Sequence, residues 1–152
     1  NVATESNKGS AQNATTEVNN EIDEEWDNND TTVYEGTRLE INPLSENQSY
    51  YTSFLRKNIK YPTTCMETGI QGRVFVEFII EKDGSVSNVR VANSVQLKVG
   101  SNQKVDNKSK DFELLEQEAV RVVKLFKGLQ PGIKNGNIVR TKQLIPVTFK
   151  LN

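Results

Sequence analysis

The sequence predicts an α+β domain: a three-stranded antiparallel sheet in spatial order 2-1-3, with two helices packed on one face. Three observations carry this. Asp83-Gly84 lies between two runs rich in β-branched and aromatic residues, a strong short-range hairpin signal. Two segments, 46–58 and 111–127, repeat apolar residues at helical spacing. The last run, Val139 to Leu151, alternates apolar and polar residues.

Residues 1–35 are rich in Asn, Thr, Ser and Glu, with Trp26 the only large aromatic before Tyr34. Such a composition buries too little apolar surface to offset its ordering entropy, so the expectation is a disordered acidic tether. As a flexible coil it spans on the order of 30 Å. The domain is expected over 36–152, opening with a short strand near Gly36 to Ile41. Ser45 and Gln48 match a capping box and are read as opening the first helix at about Glu46. Tyr50, Tyr51, Phe54, Leu55 and Ile59 form its apolar stripe, and Tyr61-Pro62 ends it. Thr63 to Thr68 form a further turn or short helix, stopped by Gly69.

In the first strand of the hairpin, Val74, Val76, Phe78 and Ile80 share one face, and Arg73, Phe75, Glu77, Ile79 and Glu81 the other. Apolar residues on both faces mark a central strand. The return run, 85–95, is more polar and is an edge; Val86 and Val89, three apart, suggest a bulge near the turn. Gln96 to Lys110 is a long polar loop. The second helix, Asp111 to Lys127, carries Phe112, Leu115, Ala119, Val122, Val123 and Phe126 on one face, with its acids early and its bases late, and Gly128 as its stop. Gln130-Pro131-Gly132 and Asn135-Gly136 are turns. The hairpin's second strand, a helix and the last strand make a return crossover, so the last strand runs parallel to the second and, in an antiparallel sheet, lies beside the first. Pro146 inside it fits an edge position.

The formal charge of −1 hides an asymmetry: residues 1–35 hold nine acids against Lys8, and the rest of the chain holds 18 bases and 11 acids. The basic excess is scattered and has no interleaved aromatic platform, which argues against nucleic-acid binding. Histidine is absent, removing the commonest general base and metal ligand. The single cysteine, Cys65, excludes an intramolecular disulfide and a cysteine zinc cluster, and is read as a packing residue. No catalytic residue, metal, cofactor or small-molecule substrate is expected. Glu77 and Glu81 share a strand face and are read as part of a solvated surface rather than a catalytic pair. Phe75 and Ile79 on that face call for cover from the N-terminal segment, a second copy or a partner. Four Asn-x-Ser/Thr sequons, at Asn13, Asn29, Asn47 and Asn107, are read as coincidental in so Asn-rich a chain. The chain begins Asn-Val-Ala-Thr, without an initiator Met, and is read as a processed or trimmed product.

Asn58-Ile-Lys-Tyr-Pro62, Gly69-Ile-Gln-Gly-Arg-Val74, Asp83-Gly-Ser-Val86, Val89-Arg-Val91, Glu118-Ala-Val-Arg-Val-Val-Lys124, Pro131-Gly132 and Ile145-Pro-Val-Thr-Phe-Lys-Leu151 together resemble the TonB C-terminal domain family over about residues 48–151. The resemblance implies a periplasmic module, tethered to a membrane in its precursor, that couples inner-membrane energy to outer-membrane transport. It implies a partner, a TonB-dependent receptor segment (the TonB box), that adds as a strand to the edge formed by the return strand of the hairpin. Carried over by position, Tyr61 and Pro62 match the family's Tyr-Pro segment near the receptor contact. Ser87, Val89, Arg90, Val91, Asn93 and Val95 fall on the docking strand. The chain departs from the family in its long loop 96–110, in Leu129 where members often carry Trp, and in an acidic tether where a Pro-rich linker would stand. The alternative is a stand-alone envelope module, structural or sensory, as a lipoprotein that dimerises or contacts cell wall without a TonB-box partner.

Overall fold

A computed structural model describes residues 31–151. Along them run β1 (Val33–Glu35), a 3-10 turn (Gly36–Arg38), α1 (Pro43–Glu46), α2 (Gln48–Asn58), α3 (Thr63–Thr68), β2 (Gln71–Ile80), β3 (Val86–Leu97), a second 3-10 turn (Lys110–Phe112), α4 (Glu113–Val123), β4 (Gly132–Lys134) and β5 (Asn137–Phe149). The sheet order is β1-β5-β2-β3, with β4 paired to the start of β5. β2 is antiparallel to both its neighbours, and β1 runs parallel to β5 at Arg140–Lys142. The expected three-stranded antiparallel sheet is thereby corrected to a mixed sheet of five strands, within which β3, β2 and β5 lie side by side.

Two boundaries also move. The expected tether falls outside the described residues up to residue 30, but Val33–Glu35 form a strand, so order begins before Gly36. The strand expected at 36–41 is instead a 3-10 turn followed by a single bridge from Ile41 to Ile133. Val33–Glu35 joins β5 in the plane of the sheet and does not lie over Phe75 and Ile79, the cover expected of the N-terminal segment.

The hairpin forms at Asp83-Gly84: the Glu81 N–H donates to the Ser85 carbonyl at 2.8 Å, and Gly84 takes φ +87°. A side chain there would meet the Leu129 carbonyl at 2.7 Å, so glycine is required on two counts. Asn135-Gly136, with φ of +52° and +80°, closes a second tight hairpin between β4 and β5.

The first helix does not use the Ser45 capping box. Asn42 caps α1 by accepting from the Leu44 N–H at 3.0 Å, and Ser45 Oγ turns back to donate to the Asn42 carbonyl. Asn47 separates α1 from α2 and is buried. Its amide donates to the Pro43 and Gln130 carbonyls, and its Oδ1 accepts from the Gln130 N–H. The sequon at Asn47 is thus occupied by a structural staple.

The core lies between one sheet face and the helices. Val74, Val76, Phe78 and Ile80 of β2 and Ile145, Val147 and Phe149 of β5 meet Tyr51 of α2 and Leu115, Ala119, Val122 and Val123 of α4. Each of the valine, leucine, isoleucine and phenylalanine side chains contributes about 1.5–3 kcal/mol by leaving water. α4 ends at Val123, shorter than the expected 111–127. Its last turn tightens, with Leu125 N–H donating to Val122 and Phe126 N–H to Val123, and this aims Phe126 into the core.

Cys65 is fully buried in α3, and its Sγ lies 3.4 Å from the Asp111 carbonyl. Burial and then the nearby Asp111 push the thiol's pKa up. Cys65→Ala is expected to cost about 1–2 kcal/mol. Native protein at neutral pH should react with iodoacetamide far more slowly than urea-unfolded protein. Equal rates would show that the thiol is accessible.

Candidate functional site

The sequence singled out two places, Tyr61-Pro62 and residues 87–95, and the fold puts them on opposite sides of β2. Tyr61 donates its hydroxyl to the Ile70 carbonyl at 2.6 Å and packs its ring edge-on to Phe149 at 5.6 Å. Burial, with a smaller effect of Cys65, pushes its phenol up to about 12. Pro62 precedes α3, and its carbonyl accepts from Met66 N–H at 3.0 Å. Phe149 pairs with Gly72, whereas Val91 faces Val76, four residues or about 13 Å further along β2 and on its other side. Tyr61 is committed to tying α3 to the start of β2.

β3 is the outer strand, and the register decides which of its backbone groups are available. The Glu81–Ser85 bond makes Ile80 and Val86 a non-hydrogen-bonded pair, so Ile79 and Ser87 exchange bonds. Alternation along β2 then turns Glu77, Phe75, Arg73 and Gln71 toward β3, opposite Arg90, Asn93, Val95 and Leu97. Two register shifts, at Glu77/Ile79 and Phe75/Val76, put one extra residue each into β3. Asn88 in the first of these bulges takes φ +50°. The outward backbone groups therefore belong to Val86, Val91, Ser94 and Gln96.

Two local bonds agree with this phase: Ser94 N–H donates to its neighbour's Asn93 Oδ1 at 2.8 Å, and the Gln96 carbonyl accepts from Val105 N–H at 2.9 Å. Of the residues singled out on this strand, Ser87, Arg90, Asn93 and Val95 spend their backbone groups on β2, and their side chains stand on the face away from the helices. Val89 and Val91 turn their side chains to the core, and Val91 alone of the six offers a backbone donor outward at a regular ladder position. Val86, Ser94 and Gln96 were missed because they appear only once both bulges are placed. The spacing of inward residues carries the signal: Val86, Val89, Val91, Ser94 and Gln96 step by three, two, three and two.

The face away from the helices is a lattice of charge. Glu35 of β1 pairs with Lys142 of β5 at 2.9 Å, Lys142 reaches Glu77 of β2 at 3.6 Å, and Glu77 pairs with Arg90 of β3. Beside this line Arg140 grips Glu81 with two bonds, at 2.7 and 3.0 Å, and Ser87 Oγ also donates to Glu81. The guanidinium, opposed by partial burial, holds the Glu81 carboxyl below its usual range. Both carboxylates are paired with cations, and Glu77 also lines an open pocket with Glu35, Asn42, Leu44, Lys142 and Leu144. Ile79 sits between Ser87 and Lys142 in register and is only 8% exposed, while Phe75, opposite Pro146, is half-buried. The long stems of charged neighbours supply the cover that Ile79 needs.

β5 is the other edge. β1 covers it at Arg140–Lys142, and beyond that Leu144 is 51% exposed and Pro146 lies at an outward position, where its missing N–H costs no ladder bond. Among the described residues no group of three or more His, Cys, Asp or Glu is placed to hold a metal ion, and no helix is long and apolar enough to cross a membrane.

A family model described as Gram-negative bacterial TonB protein C-terminal matches residues 57–151. Similar solved structures include two solution structures of the Helicobacter pylori TonB C-terminal domain. The one comprising residues 179–285 is 22% identical, with 70% of this chain and 82% of that one covered at a TM-score of 0.46. The one comprising residues 194–285 is 23% identical, with 68% and 91% covered at a TM-score of 0.43. Comparison with curated proteins gives no match.

Proposed function

The chain belongs to the Gram-negative bacterial TonB protein C-terminal family, a family of periplasmic, non-enzymatic domains that act in energy transduction to outer-membrane receptors, and from that membership we propose that it captures a receptor segment by strand addition at the edge of β3. One observation carries the reading: from Val86 to Ala92, β3 ends the sheet with backbone groups of Val86 and Val91 facing outward and no strand beside them among the described residues. An extended peptide satisfies these groups with its own. Val89 and Val91 on the core side and Arg90 on the other flank the place its side chains would take, so alternate residues of the partner are read by different surroundings. The two bulges twist the edge and disfavour casual pairing with other sheets, so a partner must match an irregular ladder.

The test is titration of the chain with extended peptides from TonB-dependent receptors, followed by amide exchange. Binding should slow exchange at Val86 and Val91 and leave Ser87 and Arg90, already bonded to β2, little changed. A parent chain that binds no receptor peptide overturns the reading and leaves the structural or sensory envelope module in its place.

One observation favours a second docking edge. β1 is itself a strand added to β5, three residues long, with Val33 and Glu35 exposed. So short and exposed a strand opens easily. A partner that displaces it would leave exchange at Val91 unchanged and free the Tyr34 amide.

A further inference from the structure

We propose that the loop from Gln96 to Lys110 is a built-in strand stop, which closes the β3 edge at Ser94, limits the partner to about six residues and favours an acidic residue at the end that meets the loop. The inference rests on strand addition at β3.

The loop is not a bare connection. It leaves β3, turns, and comes back along the outer side of the same strand: Lys98 N–H donates to the Gln103 carbonyl and Val105 N–H to the Gln96 carbonyl, each at 2.9 Å, around an antiparallel bridge between Leu97 and Lys104. The returning residues 103–105 thus stand where an added strand would stand. The chain already augments its own edge at this end, and a partner extending past Ser94 would collide with them.

The stop is anchored on a second side. Gln96 is buried, and its Oε1 accepts from Ser109 N–H at 2.6 Å, so backbone and side chain of one residue hold both legs of the loop. Ser94, also buried, accepts from Lys108 Nζ at 2.9 Å and donates to Glu116 of α4. Gln71 Nε2 holds the Lys98 carbonyl at 2.9 Å. A strand pushing beyond Ser94 must break the Val105 and Lys98 bonds against the pull of these anchors.

Charge sets the chemistry of the end that reaches the stop. The loop carries Lys98, Lys104, Lys108 and Lys110 against Asp106. Lys98, Lys104 and Lys110 are exposed and form no ion pair among the described residues. Because the returning leg is antiparallel to β3, a partner running antiparallel in line with it brings its N-terminal residue to these lysines.

Two synthetic peptides test this on the full chain by calorimetry: Glu-Thr-Val-Thr-Val-Thr, and a ten-residue form extended by four residues ahead of the glutamate. The parent should bind the two within about twofold of each other. Val105→Pro, which removes the donor to Gln96, should bind the longer peptide about tenfold more tightly than the shorter, the yield of one or two added backbone bonds. Gln96→Ala, which releases Ser109, should do the same if the proline disturbs folding. Replacing the glutamate by lysine should weaken the short peptide for the parent, less so at high salt. A parent that gains tenfold from the extension has no stop, and a lysine peptide that binds equally well removes the acidic preference. If neither peptide binds any folded variant, while receptor peptides slow exchange at Val91, the stop is overturned and strand addition stands. If receptor peptides fail as well, both fall.

Discussion

Truncating Phe126 to alanine is expected to lower stability by about 3–5 kcal/mol, a large part of what a domain of this size has. The ring is 3% exposed and is the hub of an aromatic cluster. It stacks on Tyr51 at 5.3 Å and meets Tyr50, Phe54 and Phe78 edge-on at 5.6, 5.3 and 5.8 Å. These rings come from α2, from β2 and from the end of α4, so the cavity left by alanine is lined by three elements that cannot collapse together. Edge-on pairs add about 0.5–1.5 kcal/mol each beyond burial. Urea unfolding should show the midpoint falling at an unchanged slope. A loss below about 1 kcal/mol would mean that the cluster repacks and that Phe126 is not its hub.

Phe126 also shows what a sequence pattern carries and what it omits. Periodicity placed it on the apolar face of a helix running to Lys127, and it is indeed in the core. It gets there by leaving the helix. The i, i+3 bonds after Val122 turn the chain, a choice made by the pocket between α2 and β2 rather than by local propensity. The same division holds elsewhere. β2 and β3 announced themselves through alternation and Asp83-Gly84, because their pairing is local. β1 did not. Three residues, paired in parallel with a strand more than 100 positions away, leave no local trace, and only Val33-Tyr34 between polar neighbours hinted at a strand. β4 was legible in principle, since Asn135-Gly136 stands between Ile133 and Ile138, but the last run was started at Val139, beyond the hairpin.

At the candidate site the strand was legible and the phase was not. The spacing of Val86 and Val89 suggested a bulge near the turn, and the register shifts there. The second bulge, between Val91 and Asn93, left only a faint trace, because the buried residues that follow it are the polar Ser94 and Gln96 and do not extend the apolar pattern of Val86, Val89 and Val91. Without it the outward set cannot be numbered beyond Val91, and Asn93 and Val95 were selected with the docking strand by resemblance rather than by phase. Tyr61 was selected by resemblance alone, and its hydroxyl bond to Ile70 gives it a structural task.

The resolved phase turns neighbouring substitutions into opposites. Proline at Arg90 should cost about 3 kcal/mol, because the Arg90 backbone is bonded to Glu77 of the central strand and proline removes the donor while its ring crowds the ladder. It also strips the guanidinium from Glu77, leaving that carboxylate to Lys142 alone. Proline at Val91 should cost only about 1 kcal/mol, the loss of part of a half-buried side chain, since its N–H bonds nothing in the sheet. The binding effects should run the other way. Val91→Pro removes an outward donor and puts a ring where a partner backbone must pass, so receptor-peptide affinity should fall about a hundredfold. Arg90→Pro, examined at a temperature where it remains folded, should retain most of that affinity per folded molecule. Thermal melts and calorimetric titration of the two variants beside the parent decide the matter. If Val91→Pro folds and binds like the parent, no strand is added at β3, and the β5 edge is the remaining place for one. If Val91→Pro unfolds and Arg90→Pro does not, the phase of the ladder is reversed and the docking donors lie on the residues between.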